Sequence, residues 1–266
     1  MTSVAVDLLG WITDRFTPPP QVVTPLDGAR LVRSPDLPDF WFGNYVELDA
    51  EPTPEELERW IERWPQIIGE PLPHRRLLSW EAPELHLTKE LTAVAERHGM
   101  HAEVDVTLVL GELVPRSGPD GFTARTCRTD ADWEAALAVG GADAPDQADF
   151  QRRLARHHRA RSEAGFGEWW IGELDGQVVA TAGIYWNDEG TIARYQRVDT
   201  LEAVRRRGCA SALLTAMALD TKERLPDLAQ IVIVAEVGEA GEQVYRRLGF
   251  EPASYAPSLV GLPPTG

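Results

Sequence analysis

Hydrophobic and polar residues alternate along parts of the first third of the chain with the period of two that a strand requires. Residues 39–48 (DFWFGNYVEL) and 74–80 (HRRLLSW) predict two strands. The strictest alternation is in residues 101–113 (HAEVDVTLVLGEL), where the apolar positions are Ala102, Val104, Val106, Leu108 and Leu110. This pattern predicts a half-exposed strand, with an apolar side against a core and a polar side in water.

Two segments between these strands have the helical period. Residues 53–68 begin with Thr53 as N-cap, and Glu56 follows three residues later, which is the spacing of a capping box. Residues 87–99 predict a second helix that ends at Gly99. The predicted order of the first part is therefore strand, helix, strand, helix, strand.

A segment rich in proline, glycine and serine separates two regular patterns. It comprises residues 113–122 (LVPRSGPDGF), a composition typical of a linker. We therefore expect two domains, residues 1–115 and residues 120–266. The expected fold class is α/β (α+β), with a smaller α/β domain ahead of a second layered domain.

The second part opens with a predicted strand at residues 121–127 and a helix at residues 129–139, capped by Thr129 or Asp130. Residues 146–165 predict a further helix.

Three strands follow, at residues 168–176, 177–188 and 191–200. An Asp175-Gly176 turn between the first two is a strong hairpin signal. The three runs predict an antiparallel meander.

The last part of the chain returns to helices. Residues 205–224 predict a helix with one buried stripe, formed by Ala210, Leu213, Leu214, Met217 and Ala218. The continuous apolar run at residues 230–237 suits a central strand covered on both faces. A short helix at residues 242–249 ends at Gly249, and Phe250 begins another strand.

Composition narrows the class of protein. The 266 residues are 43% hydrophobic and carry 26 basic against 42 acidic side chains, a formal charge of −16. This balance argues against general affinity for nucleic acid or anionic membranes, because both are bound through basic patches. Cys127 and Cys209 make no disulfide framework and no zinc-ligand pattern, so we expect reduced thiols and no metal. The N-terminal segment lacks secretory features, and we expect a cytoplasmic protein.

Against this acidic background, Arg205, Arg206 and Arg207 stand together before Gly208 at the head of a predicted helix. Cations are unfavourable at a helix N-terminus unless an anion offsets them, and free N–H groups there form an anion site. Gly208 lets the backbone approach a diphosphate, and three small residues leave room over the first turn: Cys209, Ala210 and Ser211. The alternative is a solvated basic turn that pairs with surface carboxylates.

Two motifs in their correct order support the anion site. Residues 204–214 (VRRRGCASALL) resemble the coenzyme A pyrophosphate loop of the GNAT N-acetyltransferase family, with Arg205, Gly208 and Ala210 in the pattern [Q/R]-x-x-G-x-[G/A]. Residues 235–250 (AEVGEAGEQVYRRLGF) resemble the last conserved block of that family, with Tyr245 ahead of a Leu-Gly-Phe ending. The resemblance covers residues 122 to about 255. It implies a mixed, mostly antiparallel central sheet flanked by helices.

The resemblance also implies a site. Acetyl-coenzyme A is the expected acyl donor, with its diphosphate on the loop residues Arg205 to Ser211. The backbone of Val198 and Thr200 would pair with the pantetheine arm, and the Val198 N–H would polarise the carbonyl. Tyr245 would be the general acid for the departing thiolate, the alternative being a core aromatic residue. Two residues depart from the pattern, Glu202 in place of a proline and Gly238 in place of an asparagine.

No general base is evident from the sequence. Candidates beside the acceptor are Glu168, Asp188, Glu189, Glu236, His157 and His158. The simpler interpretation of each is a solvated side chain. The arginines of the second helix (152, 153, 156, 159 and 161) would attract an acidic acceptor or form an ordinary charged helix face.

The first domain resembles the later half of the same fold in its alternation and is interpreted as a degenerate GNAT-like domain, with an unrelated α/β domain as the alternative. Its first helix begins with acidic residues where a phosphate loop would be basic, so we expect no coenzyme A there. Its tryptophans are expected in the core: Trp41, Trp60, Trp64 and Trp80.

These observations predict an N-acetyltransferase that moves an acetyl group from acetyl-coenzyme A to a primary amine of a small molecule, amino acid or peptide. The alternative is a non-catalytic acetyl-coenzyme A binding or regulatory protein. The sequence leaves monomer and homodimer open.

Overall fold

The computed structural model describes residues 9–141 and 147–263. The expectation about a secretory leader concerns residues 1–11, of which residues 1–8 lie outside this range. The helix predicted at residues 146–165 also begins one residue outside it.

The described residues form seven α-helices and eleven strands. The helices are α1 (Leu9–Asp14), α2 (Pro54–Ile68), α3 (Lys89–Arg97), α4 (Asp130–Gly140), α5 (Ala148–Glu163), α6 (Cys209–Arg224) and α7 (Ala240–Arg247). The strands are β1 (Val22–Leu26), β2 (Ala29–Arg33), β3 (Tyr45–Leu48), β4 (Arg76–Trp80), β5 (Met100–Leu110), β6 (Phe122–Thr126), β7 (Gly167–Leu174), β8 (Gln177–Trp186), β9 (Ile192–Thr200), β10 (Gln230–Glu236) and β11 (Phe250–Gly261).

All eleven strands belong to one sheet, in the order β1-β2-β3-β4-β11-β5-β10-β9-β8-β7-β6. Two neighbouring pairs are parallel, β3 with β4 and β9 with β10, and the other eight are antiparallel. The expected mixed, mostly antiparallel sheet flanked by helices is confirmed.

The two parts of the chain repeat one arrangement and exchange their last strands. The order β3-α2-β4-α3-β5 recurs as β9-α6-β10-α7-β11, and each repeat begins with a parallel strand pair. However, β11 lies between β4 and β5, and β5 lies between β11 and β10. The sheet therefore runs through both parts, and the division between residues 115 and 120 stays a prediction.

Several helix starts and turns lie where the local sequence motifs predict them. The capping box of α2 is present, since Thr53 Oγ1 accepts from the Glu56 N–H and the Glu56 carboxylate accepts from the Thr53 N–H. Thr129 rather than Asp130 is the N-cap of α4. The Asp175-Gly176 turn has both residues at positive φ, as the hairpin signal predicts.

Other boundaries differ from the prediction. Trp41–Gly43 form a 3-10 turn, so the strand predicted at residues 39–48 begins only at Tyr45. Helix α6 begins at Cys209, which leaves the three arginines in the loop ahead of it. Of the tryptophans expected in the core, Trp64 and Trp80 are fully buried, whereas Trp41 and Trp60 are partly exposed.

The two faces of the sheet carry different side chains because successive strand residues point to opposite sides. On one face, apolar residues of β5, β8, β9 and β10 form a core with α6 and α7, and those of β3 and β4 form a second core with α2 and α3. Helices α4 and α5 pack on the other face of β7 and β8.

The structure corrects the prediction that residues 101–113 form a half-exposed strand. Val106 and Leu108 face the core as predicted, but Thr107 on the polar side is also buried, at 1% exposure. The strand lies in the middle of the sheet between β10 and β11, where the polar side faces other parts of the protein.

Gly249 joins α7 to β11 and allows a test of this junction. Its φ is +98°, and an added Cβ would lie 2.0 Å from the carbonyl oxygen of Glu112. Gly99 ends α3 at φ +66° with no atom within 4 Å of the added Cβ. We expect Gly99→Ala to cost about 1 kcal/mol of unfolding free energy, the usual cost of left-handed backbone. We expect Gly249→Ala to cost about 3 kcal/mol, because backbone atoms must also move. Urea denaturation measures both, and equal losses would contradict the close approach.

Candidate active site

Strands β9 and β10 separate part of the way along the sheet. Their parallel pairing covers Ile192 to Arg194 on β9 and Gln230 to Val232 on β10. Beyond these positions β10 continues to pair with β5 as far as Glu236, and β9 continues to pair with β8 as far as Thr200. The sheet therefore opens between the second halves of β9 and β10.

A bulge in β9 lies at this opening. Between the pairs Gly183–Gln196 and Thr181–Asp199, β8 advances two residues and β9 advances three. Arg197 lies within the bulge at φ +50°, a left-handed conformation that costs about 1–2 kcal/mol for a residue with a Cβ. Bulges bend a strand and change the direction of its side chains, and they occur beside active sites. Val198, the residue expected to polarise a carbonyl, follows directly.

The loop expected to bind phosphate connects the end of β9 to α6. Arg206 and Gly208 have φ of +62° and +89°. Gly208 is the N-cap of α6 and offers no side-chain acceptor to the first N–H groups of the helix. A Cβ on Gly208 would have only the Ser117 carbonyl oxygen nearby, at 3.7 Å, so the space above the glycine is open.

The three arginines in this loop are exposed. The Nε of Arg205 donates to the Thr200 carbonyl oxygen at 3.1 Å, which joins the loop to the end of β9. The geometry thus brings together the backbone positions 198 and 200, the basic loop and the free N-terminus of α6.

Tyr245 lies on α7, on the same face of the sheet as α6. Its side chain is 9% exposed and meets Phe250 edge to face, with ring centroids 6.3 Å apart. Burial, reinforced by the carboxylate of Asp199 on β9, raises the pKa of Tyr245 to about 12. The phenol is therefore protonated at neutral pH, and it is both a core residue and close to the end of β9.

Most of the predicted bases are occupied or distant from the opening. Glu168 is largely buried and forms ion pairs with Arg224 at 3.2 Å and Arg128 at 3.6 Å. Glu189 accepts a hydrogen bond from Asn187, and Asp188 has an 81% exposed side chain. For Glu168, the expectation of a solvated side chain is wrong.

The two histidines of α5 differ from each other. His157 is partly exposed, whereas His158 is only 3% exposed. Its Nδ1 lies 2.9 Å from the Tyr185 hydroxyl. Burial, with a smaller contribution from Arg197, lowers the pKa of His158 well below 6.5 and keeps the ring neutral. The expectation of a solvated side chain is wrong for His158.

The arginines of α5 form an ordinary charged face. Arg153 pairs with Asp39, and Arg159 pairs with Asp130 at 2.6 Å and Glu163 at 2.8 Å. Arg152 and Arg156 are exposed. These contacts favour the simpler of the two interpretations.

A cavity of about 410 Å³ lies on the opposite face from α6. It extends from Gln196 and Glu236 at the open strands, across the middle of the sheet, to Glu47 on β3. Short helix α1 covers part of it, and the segment around Phe40 and Phe42 forms one edge.

Acidic side chains line this cavity. Burial raises the pKa of Glu47 to about 8, although the Arg30 guanidinium lies 3.5 Å from Oε1. Burial also raises the pKa of Asp105 to about 6, with further contributions from neighbouring carboxylates including Glu236. Glu81 accepts from the N–H groups of Gly10 and Trp11 in α1.

Sequence reasoning missed most of these residues. Asp105 occupies a polar position in the alternating pattern of residues 101–113, which was interpreted as a solvent-facing side. Glu47 and Glu81 lie in or beside predicted strands. The available signal was the same in each case, an acidic residue in a segment otherwise rich in apolar and β-branched residues, but such residues are ordinary on an exposed strand face.

Residues 165–252 match the family model described as an acetyltransferase (GNAT) domain. The matched segment contains the meander, the opened strands, the basic loop and Tyr245. A comparison with curated proteins gave no match.

Solved structures extend the likeness to nearly the whole chain. A GCN5-related N-acetyltransferase from Kribbella flavida is 25% identical, with a TM-score of 0.60 over 92% of this chain and 90% of that chain. A conserved protein of unknown function from Staphylococcus epidermidis is 16% identical, with a TM-score of 0.74 over 91% and 94%. A tandem GNAT protein from the clavulanic acid biosynthesis pathway is 13% identical, with a TM-score of 0.57 over 95% and 86%. The last two show the fold alone.

Two absences concern the described residues, 9–141 and 147–263. None of their helices has the length and apolar character needed to span a membrane. No group of three or more His, Cys, Asp or Glu side chains among them could hold a metal ion.

The raised pKa of Glu47 predicts a pH dependence of stability. Its ordinary value is 4.5 and its folded value about 8, so the folded protein binds this proton more tightly. The stabilisation is complete below pH 4.5 and is lost as the pH rises to 8. We expect wild-type protein to lose at least about 1.4 kcal/mol more unfolding free energy than Glu47→Gln between pH 5 and pH 8.5.

Urea denaturation at the two pH values measures this difference. The matched control is Glu55→Gln, since Glu55 is exposed on α2. We expect the control to follow the wild type. A Glu47→Gln protein with the wild-type pH dependence would show that Glu47 ionises normally.

Proposed function

We propose that the protein is an N-acetyltransferase that transfers an acetyl group from acetyl-coenzyme A to a primary amine. The observation that carries the proposal is the opening between β9 and β10, with the basic loop and Tyr245 on one face and the cavity on the other. A thioester in this opening would be reached by an amine from the opposite side of the sheet. The family match at residues 165–252 supports acetyl transfer as the reaction.

The donor side rests on the loop between β9 and α6. Backbone N–H groups at the start of α6 are available to a diphosphate, because Gly208 supplies no capping side chain. Arg205, Arg206 and Arg207 add positive charge around it. Small residues line the first turn: Cys209, Ala210 and Ser211. Acetyl-coenzyme A is a substrate here and supplies the thioester.

The backbone at the opening presents N–H and C=O groups to the thioester end of the donor. Val198 and Thr200 lie beyond the last β9–β10 pair, so their edge of the strand is open to an extended ligand. The Val198 N–H would then donate to the carbonyl oxygen as it gains negative charge.

Tyr245 would assist the departing sulfur from its phenol hydroxyl. A thiol has an ordinary pKa of about 8.5, whereas burial raises that of Tyr245 to about 12. Full proton transfer from Tyr245 to a free thiolate is therefore unfavourable. The phenol acts best as a hydrogen-bond donor while the carbon–sulfur bond breaks, which places its contribution at the lower end of the range for general acids.

Gly238 bears on the alternative of a non-catalytic binder. By the family resemblance, the asparagine that it replaces would contact the cofactor or order the turn before α7. In this chain the Gly238 N–H donates to the Glu242 carboxylate at 2.7 Å, and Arg246 donates to the same carboxylate. Glu242 thus orders the turn, and this supports the catalytic interpretation. Cytoplasmic location and the choice between monomer and homodimer stay predictions.

The loop assignment predicts the effect of charge at position 208. Gly208→Ala and Gly208→Glu both place a Cβ at φ +89°, and only the second adds a negative charge. Like charges in contact cost several kcal/mol, so we expect coenzyme A to bind Gly208→Glu about 100-fold more weakly than Gly208→Ala. Isothermal titration calorimetry measures the affinity.

The same titration of wild-type protein gives the stoichiometry. We expect one coenzyme A per chain, because the N-terminus of α2 is capped by its own Thr53 and Glu56. Equal affinity of the two Gly208 variants would contradict the loop assignment, and two equivalent sites would contradict the single donor site.

The acid role of Tyr245 predicts a selective loss of turnover. Tyr245→Phe keeps the ring and its contact with Phe250, so coenzyme A affinity should hold. We expect kcat to fall by about 100-fold, the lower end of general acid catalysis. The rate at which free coenzyme A thiol is released measures turnover. Acyl donors with more acidic thiols should restore part of the activity, and an unchanged kcat with all donors would reject the acid role.

A further inference from the structure

The cavity and the basic loop lie on opposite faces of the sheet and meet at the opened strands. Ala193 and Tyr195 of β9 face the core under α6, and the Tyr195 hydroxyl donates to the Leu214 carbonyl oxygen at 2.7 Å. Arg194 and Gln196 point the other way and line the cavity. A molecule in the cavity therefore has access to the opening from the side away from the donor loop.

The cavity has more acidic than basic side chains. Five acidic residues line it, Asp14, Glu47, Glu81, Asp105 and Glu236. The guanidinium groups among the lining residues are Arg194 and Arg197. Arg194 is already engaged, because Nη1 donates to the Gly10 carbonyl oxygen and Thr13 Oγ1, both at 3.0 Å, and to Asp14.

Two ends of the cavity have carboxylate oxygens available to a ligand. At the open strands, Asp105 stands opposite Glu236 in the antiparallel register of β5 and β10. Within residues 9–141 and 147–263, the Asp105 carboxylate has no hydrogen bond. At the far end, Glu47 is 4% exposed, and its Oε2 has no hydrogen-bond partner among the described residues.

The ends are separated by a distance that a small molecule can span. Glu47 on β3 and Asp105 on β5 lie three strand spacings apart across the sheet, about 14 Å, and two residues apart along it, about 7 Å, since the register places Glu47 level with Glu103. An extended six-carbon diamine with a hydrogen bond of about 2.8 Å at each ammonium group covers a span of this order. A volume of about 410 Å³ suits such a ligand and excludes a folded protein surface.

Aromatic groups line the space between the ends. Phe40, Phe42 and Tyr45 contribute to the wall together with Trp11, whose ring already carries the Arg30 guanidinium at 3.9 Å. Aromatic faces attract cations. The wall and the carboxylates thus favour the same kind of occupant.

We propose that this cavity is the acceptor site and that it selects a small primary amine with a second cationic group. The first ammonium group lies at Asp105 and Glu236, beside the opened strands, and the second binds Glu47. The inference rests on the proposed function for the identity of the reaction, but the selection of a dication is a property of the cavity alone.

Proton release provides a signature of this binding. Glu47 is held protonated at neutral pH by burial, with Asp14 and Glu81 adding to the effect and Arg30 opposing it. Asp105 faces Asp14, Glu103 and Glu236, with Arg194 opposing them. A bound cation lowers the pKa of both carboxyl groups, so a dication displaces protons at pH 7.

The test uses full-length protein and a matched pair of amines, 1,6-diaminohexane and 6-amino-1-hexanol, which carry an ammonium group or a hydroxyl group at one end; the second reactive amine of the diamine accounts for a factor of two. We expect wild-type kcat/KM to favour the diamine by about 10- to 100-fold, the contribution of one hydrogen bond to a charged group. Glu47→Gln should bring the ratio close to this factor of two. Glu55→Gln, exposed on α2, should keep the wild-type ratio.

Calorimetry without acetyl-coenzyme A tests the cavity apart from the reaction. Wild-type protein should bind the diamine more tightly than the amino alcohol and should release protons, measured in buffers of different ionisation enthalpy. Glu47→Gln should release fewer, and circular dichroism checks that it is folded.

Equal binding of the two amines, or a Glu47→Gln protein that keeps the wild-type ratio, would overturn the proposed selectivity. Failure of the proposed function is a separate result. In that case the diamine still binds with proton release, while no amine is acetylated and no thiol appears.

Discussion

The antiparallel pairing of β5 with β11 is the contact on which the rest of the structure depends. It joins the last strand of each repeat to the other half over eleven residue pairs, from Phe250–Leu110 to Gly261–Met100. The two repeats therefore share one sheet rather than standing as separate sheets. This exchange places β5 beside β10, so that residues from the first part of the chain line the cavity at the opening in the second part.

The same arrangement separates two electrostatic environments. The loop at Arg205–Gly208 is basic and lies on the face covered by α6, whereas the cavity on the other face is lined by five acidic residues. The overall charge of −16 therefore does not predict the local charge at either site. In the proposed function, an anionic donor and a cationic acceptor reach the opened strands from opposite sides, each drawn by the field of its own face. The sheet keeps the two from competing.

Much of the fold could be predicted from the sequence, because its signals act over a few residues. Thr53 and Glu56 cap α2, Asp175-Gly176 turns the hairpin, and Gly99 ends α3 under backbone rules that need no distant partner. The basic loop was predicted as the donor site from Arg205, Gly208 and Ala210, which are close in sequence, together with the family resemblance. Tyr245 could be proposed as a functional residue only through the family resemblance, because the sequence around a tyrosine on a short helix does not indicate a function.

The acidic cavity could not be predicted, and the reason is long-range pairing. The alternation of residues 101–113 determined that β5 is a strand and which side is apolar. It did not determine what faces the polar side, because that depends on β11, which is more than a hundred residues away in sequence. A polar strand face is the same in sequence whether it meets water or a cavity. Only the tertiary structure placed Glu47, Asp105 and Glu236 around one space, because burial among distant strands, rather than local pattern, raises the pKa of Glu47 and Asp105 and gives these carboxyl groups their chemistry.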